Sequence, residues 1–496
     1  MKNKNALYII LFVLLMALLF VPILQQVFHP IKVKKLDGAT VKTEKPELSF
    51  EGYKTTAYQA QLEKYLSENF GFREPVIRCY NQYLWSCFRK TYAFDVVIGK
   101  DKWLYSKKSV FDHYRQVAYE YADSNEALVQ KFEKDLSRLK RVQQLLDERG
   151  TKLFVLICPS KDIIYPEHLP VNGNYVMSDG LRAIEYYPQA FAENGINYVD
   201  MCAWFQQIKD TVSYPLFGKT GMHWSDIACV HAVDSILHYM EHLTGKNLPN
   251  YTIGPKYERE SYYPDNDLEM SMNLVFDIKP NRNSYVNVKM IPDSTAERCD
   301  LVAIGDSFFW NWCYTLPMDK IFNTYRYWYY YKSVFYDPNH THVSQLNLMD
   351  ELDRADIVMI SLSATQLYEI NHGFLSQALV LLSAKNPSNL DEILGDIKRK
   401  MESNETWYQG LKDKAAQHGK TLEQVMDEDA RYVFNQDPEK YVMDHALNGI
   451  KEAMRNDSVW YQALMEKAVK SGKDIEQVID EDALYILNQD PEKFLN

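Results

Sequence analysis

Leu301-Val302-Ala303-Ile304-Gly305-Asp306-Ser307-Phe308-Phe309-Trp310 decides how the chain is read. Four apolar residues run into a glycine, as a buried strand of an α/β sheet does on entering a tight turn. Gly305, Asp306 and Ser307 follow just past the carboxyl end of that strand, where open α/β sheets place their chemistry. Ser307 is therefore a candidate nucleophile. The turn at Gly305 and Asp306 is the candidate source of backbone N–H groups that polarise a carbonyl oxygen. Gly, Asp and Ser are also ordinary turn residues, so the tripeptide alone carries little. The apolar strand before it and Phe308 after it carry the rest.

A nucleophilic serine needs a base. His223 lies in Lys219-Thr220-Gly221-Met222-His223-Trp224-Ser225, just ahead of Ile227, Val230, Val233, Ile236 and Leu237 at helical spacing. It alone among the twelve histidines sits in a Gly-flanked, Trp-followed turn. Lys161, past the apolar run Leu153 to Cys158, is a candidate for the substrate groove, with a solvated loop lysine as the equal alternative. Trp224 and Trp310 are further groove candidates.

These stretches together resemble the SGNH hydrolase-like proteins of the alginate O-acetyltransferase type (AlgX/AlgJ-like). The motifs, in order, are Tyr65-Leu66-Ser67-Glu68-Asn69-Phe70-Gly71-Phe72-Arg73-Glu74, Gly99-Lys100-Asp101-Lys102-Trp103-Leu104-Tyr105, Pro159-Ser160-Lys161 with Ile164-Tyr165-Pro166, His223-Trp224 and Gly305-Asp306-Ser307-Phe308. The likeness runs from about Phe50 to Phe374. It implies a permuted SGNH-hydrolase-like α/β/α sandwich in which the histidine motif precedes the serine motif. It also implies an O-acetyltransferase that uses no cofactor and takes an acetyl donor.

One departure bears on chemistry. The family's triad acid lies two residues before the histidine, and that position is Gly221 here. The acid orients the imidazole and stabilises its charged form, so its loss costs orders of magnitude in rate. Three alternatives stay open: Asp226 substitutes as the orienting acid, the site is a Ser–His dyad, or it is inactive. In the dyad case, Gly221→Asp is expected to speed acylation. An acid expected near Ala364 is also absent.

Ala6 to Leu24 is uncharged and apolar, long enough to span a bilayer, and no Ala-x-Ala-like site follows it. An uncleaved anchor is expected over 1–28, then a linker over 29–49, the SGNH-like domain over 50–380 and a helical region over 381–496. The last holds two repeats, 397–441 and 450–494. Trp407-Tyr408 recurs as Trp460-Tyr461, and Asn435-Gln436-Asp437-Pro438-Glu439-Lys440 as Asn488-Gln489-Asp490-Pro491-Glu492-Lys493. Each unit reads as helices with a glycine turn (Gly419, Gly472) and a proline stop. Residues 245–300 are polar and rich in Pro, Asn and Tyr, and read as a strand-poor excursion. Asp265-Asn266-Asp267 within them lacks the spacing of a calcium loop and reads as an Asx turn. Tyr325-Arg326-Tyr327-Trp328-Tyr329-Tyr330-Tyr331 is expected to alternate between core and groove wall.

The seven cysteines include no Cys-x-x-Cys pair, so no zinc or redox motif, and no metal, is expected. Cys79 and Cys87 bridge only if their segment is not one regular helix. A net charge of −12 argues against nucleic acid or an anionic membrane surface as partner. The resemblance implies a polysaccharide substrate and a multi-pass membrane-bound O-acyltransferase as partner. It places the protein in the inner membrane with its main domain on the periplasmic or extracytoplasmic side. A carbohydrate esterase and an inactive polysaccharide-binding or assembly protein are the alternatives.

Overall fold

Six strands form the central sheet of the computed structural model: β1 (Lys152–Cys158), β2 (Tyr198–Asp200), β3 (Asp300–Gly305), β4 (Thr324–Tyr329), β5 (Ser333–Phe335) and β6 (Ile357–Ser363), in the order β5-β4-β3-β6-β1-β2. All neighbours are parallel except β5, which folds back antiparallel on β4. The structure describes every residue except Met1, 39–42, 51–53, 55, 171–174, 384–387, 419, 437 and 490–496. The Gly419 turn, Asp437 and residues 490–494 of the second repeat lie outside the described residues.

Every residue of β6 is buried, and so are all but the first of β1 and β3. Side chains alternate across a sheet, so burial at both parities means that helices cover both faces. The helices before the C-terminal region include α1 (Lys2–Phe28), α2 (Ala57–Asn69), α3 (Arg73–Phe88), α4 (Asn125–Asp147), α5 (Ala183–Asn194), α6 (Met201–Ile208), α7 (Asp226–Thr244), α8 (Asp267–Ser271), α9 (Phe308–Thr315) and α10 (Phe374–Ser383). Helix α4 packs on β1, α5 and α10, and α7 packs on α9, which touches β3 and β6. The apolar faces of these helices and the strands form one continuous core. This is the SGNH-like α/β architecture, with one apolar helix before it and a helical region after it.

The aromatic run does not alternate as expected. Tyr327 and Trp328 are adjacent on β4, and both are fully buried. Tyr327 lies under Trp310 and Phe309, while Trp328 packs on Tyr331 and Phe374. A strand covered on both faces has no groove wall to offer, and Tyr330, which lines the cavity beside Ser307, lies just past β4. Residues 245–300 also carry more strand than expected. Tyr251–Ile253 pairs with Val288–Met290, and Tyr257–Glu260 with Arg282–Tyr285, and α8 lies between these ladders in sequence.

The C-terminal helices are α11 (Ser388–Ser403), α12 (Glu405–His418), α13 (Leu422–Gln436), α14 (Pro438–Asn456), α15 (Ser458–Ser471) and α16 (Ile475–Gln489). They form two three-helix units. The ion pair Lys420–Glu428 at 2.7 Å recurs in the second unit as Lys473–Glu481 at 2.6 Å. Gly472 ends α15 in the left-handed region, as a helix C-terminus requires. Pro438 does not stop a helix but begins α14, where its missing N–H costs nothing. The first unit shares its apolar cluster with Val380 of α10, and the second has its own around Met454 and Ile479.

At the functional end of the sheet two backbones approach closely. A Cβ on Gly305 would sit 1.7 Å from the Ser361 carbonyl oxygen across the β3–β6 ladder. Gly305→Ala is therefore expected to lower the unfolding free energy by roughly 3 kcal/mol or more, read as a shift of the urea midpoint.

Candidate functional site

Ser307 caps the amino end of α9, one turn past β3, and is half-buried. The turn is held by Asp306. Its Oδ1 accepts the Phe308 N–H at 3.1 Å and its Oδ2 the Ser363 N–H at 2.7 Å. Burial pushes the Asp306 carboxyl up from its ordinary range, and the accepted hydrogen bonds oppose that. Asp306 thus ties the serine turn to the end of β6. Gly305 is required there for backbone clearance.

His223 sits on the loop ahead of α7, anchored by the antiparallel bridge between Phe217 and Trp224. Its Nε2 lies 2.7 Å from Ser307 Oγ, and its Nδ1 lies 2.6 Å from Asp267 Oδ2. Asp267 Oδ1 accepts the Met222 and Leu268 N–H groups, each at 2.8 Å. One carboxylate therefore holds both the ring and the backbone beside it.

The acid on the imidazole is Asp267, not Asp226. Asp226 begins α7, and its N–H donates to Asp265 Oδ1 at 3.0 Å. The reason is visible at Gly221. A Cβ there would meet the Asp265 carbonyl oxygen at 2.5 Å. The glycine lets the 265–267 segment press against the histidine loop and deliver its own carboxylate. The contact is reinforced by Glu269 N–H to the Thr220 carbonyl at 3.2 Å. Asn281 Nδ2 also bridges Thr220 Oγ1 and Glu269 Oε2 at 2.6 and 2.7 Å. The sequence signalled none of this; Asp267 stands 44 residues after His223 in a stretch that reads as a turn.

Lys161 is only 2% exposed, so it is not a solvated loop lysine. Its Nζ donates to the carbonyl oxygens of Leu104, Gly218, Lys219 and Gly221 at 2.7 to 3.0 Å, and lies over the ring of Trp103. Burial pulls its pKa well below that of a free lysine. An ammonium so enclosed holds the histidine loop, and Lys161 is also among the residues that line the cavity beside Ser307. Trp224 is fully buried against Phe205 and Phe308, so it packs the loop and lines no groove. Trp310 is half-buried and packs edge-on to Tyr327 and Phe335.

Ser307 opens into a cavity of about 320 Å³. Phe94, Asp95, Lys108, Tyr330, Thr365 and Gln366 are among its walls. Lys108 Nζ donates to Gln366 Oε1 at 2.8 Å and to Tyr121 Oη at 3.0 Å. Burial lowers its pKa, and Glu369 opposes that. No cluster of metal-ligating side chains exists among the described residues.

A serine hydroxyl on an imidazole whose other nitrogen meets a carboxylate is the geometry of the serine–histidine–acid hydrolases. Residues 96–259 match the family described as SGNH hydrolase-like domain, acetyltransferase AlgX. His223 lies inside the match; Asp267 and Ser307 lie beyond it. The protein named "Probable alginate O-acetylase AlgJ" from Pseudomonas aeruginosa is 30% identical over 132 residues, 27% of this chain and 29% of that protein. Its namesake from Pseudomonas syringae pv. tomato is 29% identical over 141 residues, 28% and 32% of the two chains. The matches thus span less than a third of either relative. Among solved structures, the O-acetyltransferase domain of Pseudomonas putida AlgJ aligns over 57% of this chain and 98% of that one, with TM-score 0.38 and 14% identity. Bacillus cereus PatB1 aligns over 55% and 96%, with TM-score 0.35 and 11% identity.

Two outcomes test this geometry. Gly221→Asp, which sequence alone presents as a repair, is expected to destabilise the fold instead. It forces the 265–267 backbone off the loop, and the loss reads as a lower melting midpoint with no faster acylation. The second concerns pH. Burial first, then the charge of Asp226, raises Asp265 to about 7, and burial raises Asp226 to about 6. Both folded pKa values lie above that of a free aspartate, so their stabilisation is present at low pH and lost as pH rises through about 6 to 7. Asp226→Asn should shrink the fall in melting midpoint between pH of about 5 and about 8, read by scanning calorimetry against wild type.

Proposed function

We propose that the protein is a membrane-anchored O-acyltransferase that acetylates a hydroxyl of an exported polysaccharide through an acyl-serine intermediate. The observation that carries this reading is the unbroken chain Asp267–His223–Ser307 at the mouth of a cavity. In the first half-reaction, Ser307 Oγ attacks the acetyl carbonyl of the donor while His223 Nε2 takes the serine's proton. The proton passes to the departing donor group. In the second, His223 takes the proton of a sugar hydroxyl, whose oxygen attacks the acetyl-serine. Ser307 leaves and recovers its proton. Asp267 holds the imidazole tautomer and stabilises its charged form.

The gaps at Gly221 and Ala364 favoured an inactive binding module; Asp267 on the ring supports the enzyme reading instead. One described helix, Leu7–Phe28, is long and apolar enough to cross a membrane, with mean hydropathy 3.0. On this reading it anchors the chain with its main domain on the periplasmic or extracytoplasmic side. A multi-pass O-acyltransferase beside it supplies acetyl groups.

The test is covalent labelling by an activated acetyl ester. Ser307 is expected to become acetylated in wild type. Ser307→Ala should abolish the label, and Asp267→Asn should slow it by about 10⁴-fold. Oligosaccharide acceptors should then draw the acetyl group from water to sugar. Wild-type protein that takes no label but binds polysaccharide would sink the enzyme reading, and label lost only to water would make it an esterase.

A further inference from the structure

Helix α3 carries a feature that the acyl-transfer reading does not use. Its exposed positions include Val76, Cys79, Tyr80, Tyr83, Ser86 and Cys87, and none carries a charged side chain. Spacings of three, four and seven put them on one face over about 17 Å of the helix. Val76, Tyr80 and Tyr83 are each more than half exposed. The stripe continues through Phe88, the last residue of α3, which packs edge-on to Tyr83, and, past the exposed Arg89 and Lys90, through Tyr92, which stacks on Tyr80. It finishes at Phe94, 92% exposed, which is also a wall of the Ser307 cavity. An aromatic surface of this extent, with charge only at Arg89 and Lys90, marks an interaction site.

The start of α3 shows what covers it. Gly71, two residues before α3, is pressed on the end of α1. A Cβ there would lie 2.0 Å from the Pro22 carbonyl oxygen and 2.8 Å from Gln25 Cβ. Gln25 is itself buried at 5% exposure and exchanges hydrogen bonds with both backbone groups of Ile31. The apolar stripe therefore begins where the apolar span ends. Tyrosine with aliphatic neighbours is the composition of the membrane–water boundary, where the ring is apolar and its hydroxyl is wet. The opposite side of α3 is committed to the protein. Leu84 and Trp85 are buried, and Asn81 Nδ2 donates to the Met272 carbonyl at 2.8 Å.

We infer that the exposed face of α3 lies on the bilayer surface as an interfacial helix, which sets the mouth of the Ser307 cavity at the membrane. The inference rests on the reading of α1 as a membrane span. A helix on the interface buries its apolar face in the headgroup region. The net charge of −12 makes a zwitterionic surface the appropriate probe. An acetyl donor emerging at the membrane would then meet Phe94 and the cavity before reaching open solvent.

Cys79 and Cys87 supply the test, because both are exposed on the face in question, while Cys158, Cys202, Cys229 and Cys299 are buried. In a Cys313→Ser background, each is left alone in turn by Cys87→Ser or Cys79→Ser. The full chain is labelled with an environment-sensitive thiol fluorophore. It is then reconstituted into phosphatidylcholine vesicles with or without lipids spin-labelled near the headgroup. Labels at Cys79 and Cys87 should lose roughly half or more of their emission to the spin-labelled lipid. A label on Ser458→Cys, in the distant helical region, should lose none. Tyr83→Glu should restore most of the emission at Cys87. If a label on Val27→Cys at the domain-side end of α1 is quenched but those at Cys79 and Cys87 are not, α3 is not on the bilayer and the inference is overturned. A multi-pass protein then becomes the candidate cover. If the Val27→Cys label is not quenched either, α1 is not seated in the bilayer, and the anchor reading fails first.

Discussion

The ammonium of Lys161 lies where three chain segments cross, and the geometry around Ser307 depends on it. Three N–H donors share four carbonyl oxygens, from Leu104, which pairs with Ile98 in a two-stranded antiparallel ladder, and from Gly218, Lys219 and Gly221 of the histidine loop. Carbonyl groups turned inward on a tight loop need donors, and an unpaired buried one costs about 1 to 3 kcal/mol. One lysine at the end of β1 meets that need for the whole loop. Burial opposes the charge, while the carbonyl dipoles and the faces of Trp103 and Tyr105 favour it. The loop so gathered carries His223 at one end and presents Gly221 to the segment that brings Asp267.

How much of this was legible follows from the range of each interaction. The β3 strand and its turn were readable because apolar run, glycine and serine are adjacent in sequence, and the repeats because both copies are present to compare. The pairing of Ser307 with His223 was inferred from residue type and turn context; their separation of 2.7 Å belongs to the tertiary structure. Asp267 was not legible. Nothing local distinguishes it from Asp265, yet Asp265 caps α7 while Asp267 meets the ring. Lys161 was placed near the site for its charge, and it both lines the cavity and holds the histidine loop, whereas Trp224 only packs the loop. A sequence shows a lysine's charge but not the carbonyl groups that will enclose it. The 325–331 run failed for a related reason, since alternation predicts one exposed face only when a sheet has one.

The two acids that flank Asn266 divide the work between stability and orientation. Asp265 is fully buried, bonded to Asn283 and the Asp226 N–H, and raised in pKa by that burial. It pins the excursion of residues 245–300 to the start of α7. Asp267, two residues on, keeps 13% side-chain exposure and accepts from two backbone groups as well as facing the imidazole. A costly buried carboxyl thus fixes the backbone, and a less costly one is aimed by it.

Helix α3 connects that arrangement to the other end of the molecule. Trp85 packs in one cluster with Leu104, Leu268 and Met272. Leu268 follows Asp267 directly, and Leu104 supplies one of the four carbonyl groups around Lys161. The inner face of α3 therefore braces both the acid and the lysine knot, while Gly71, just before α3, abuts the end of α1. A short rigid path runs from the apolar helix to the carboxylate on His223. Packed interiors transmit displacement because they contain little free volume to absorb it. On the proposed seating of α3, the surface that locates the cavity also supports the residues that orient its imidazole. Position at the membrane and geometry at Ser307 are then set by the same sixteen-residue helix.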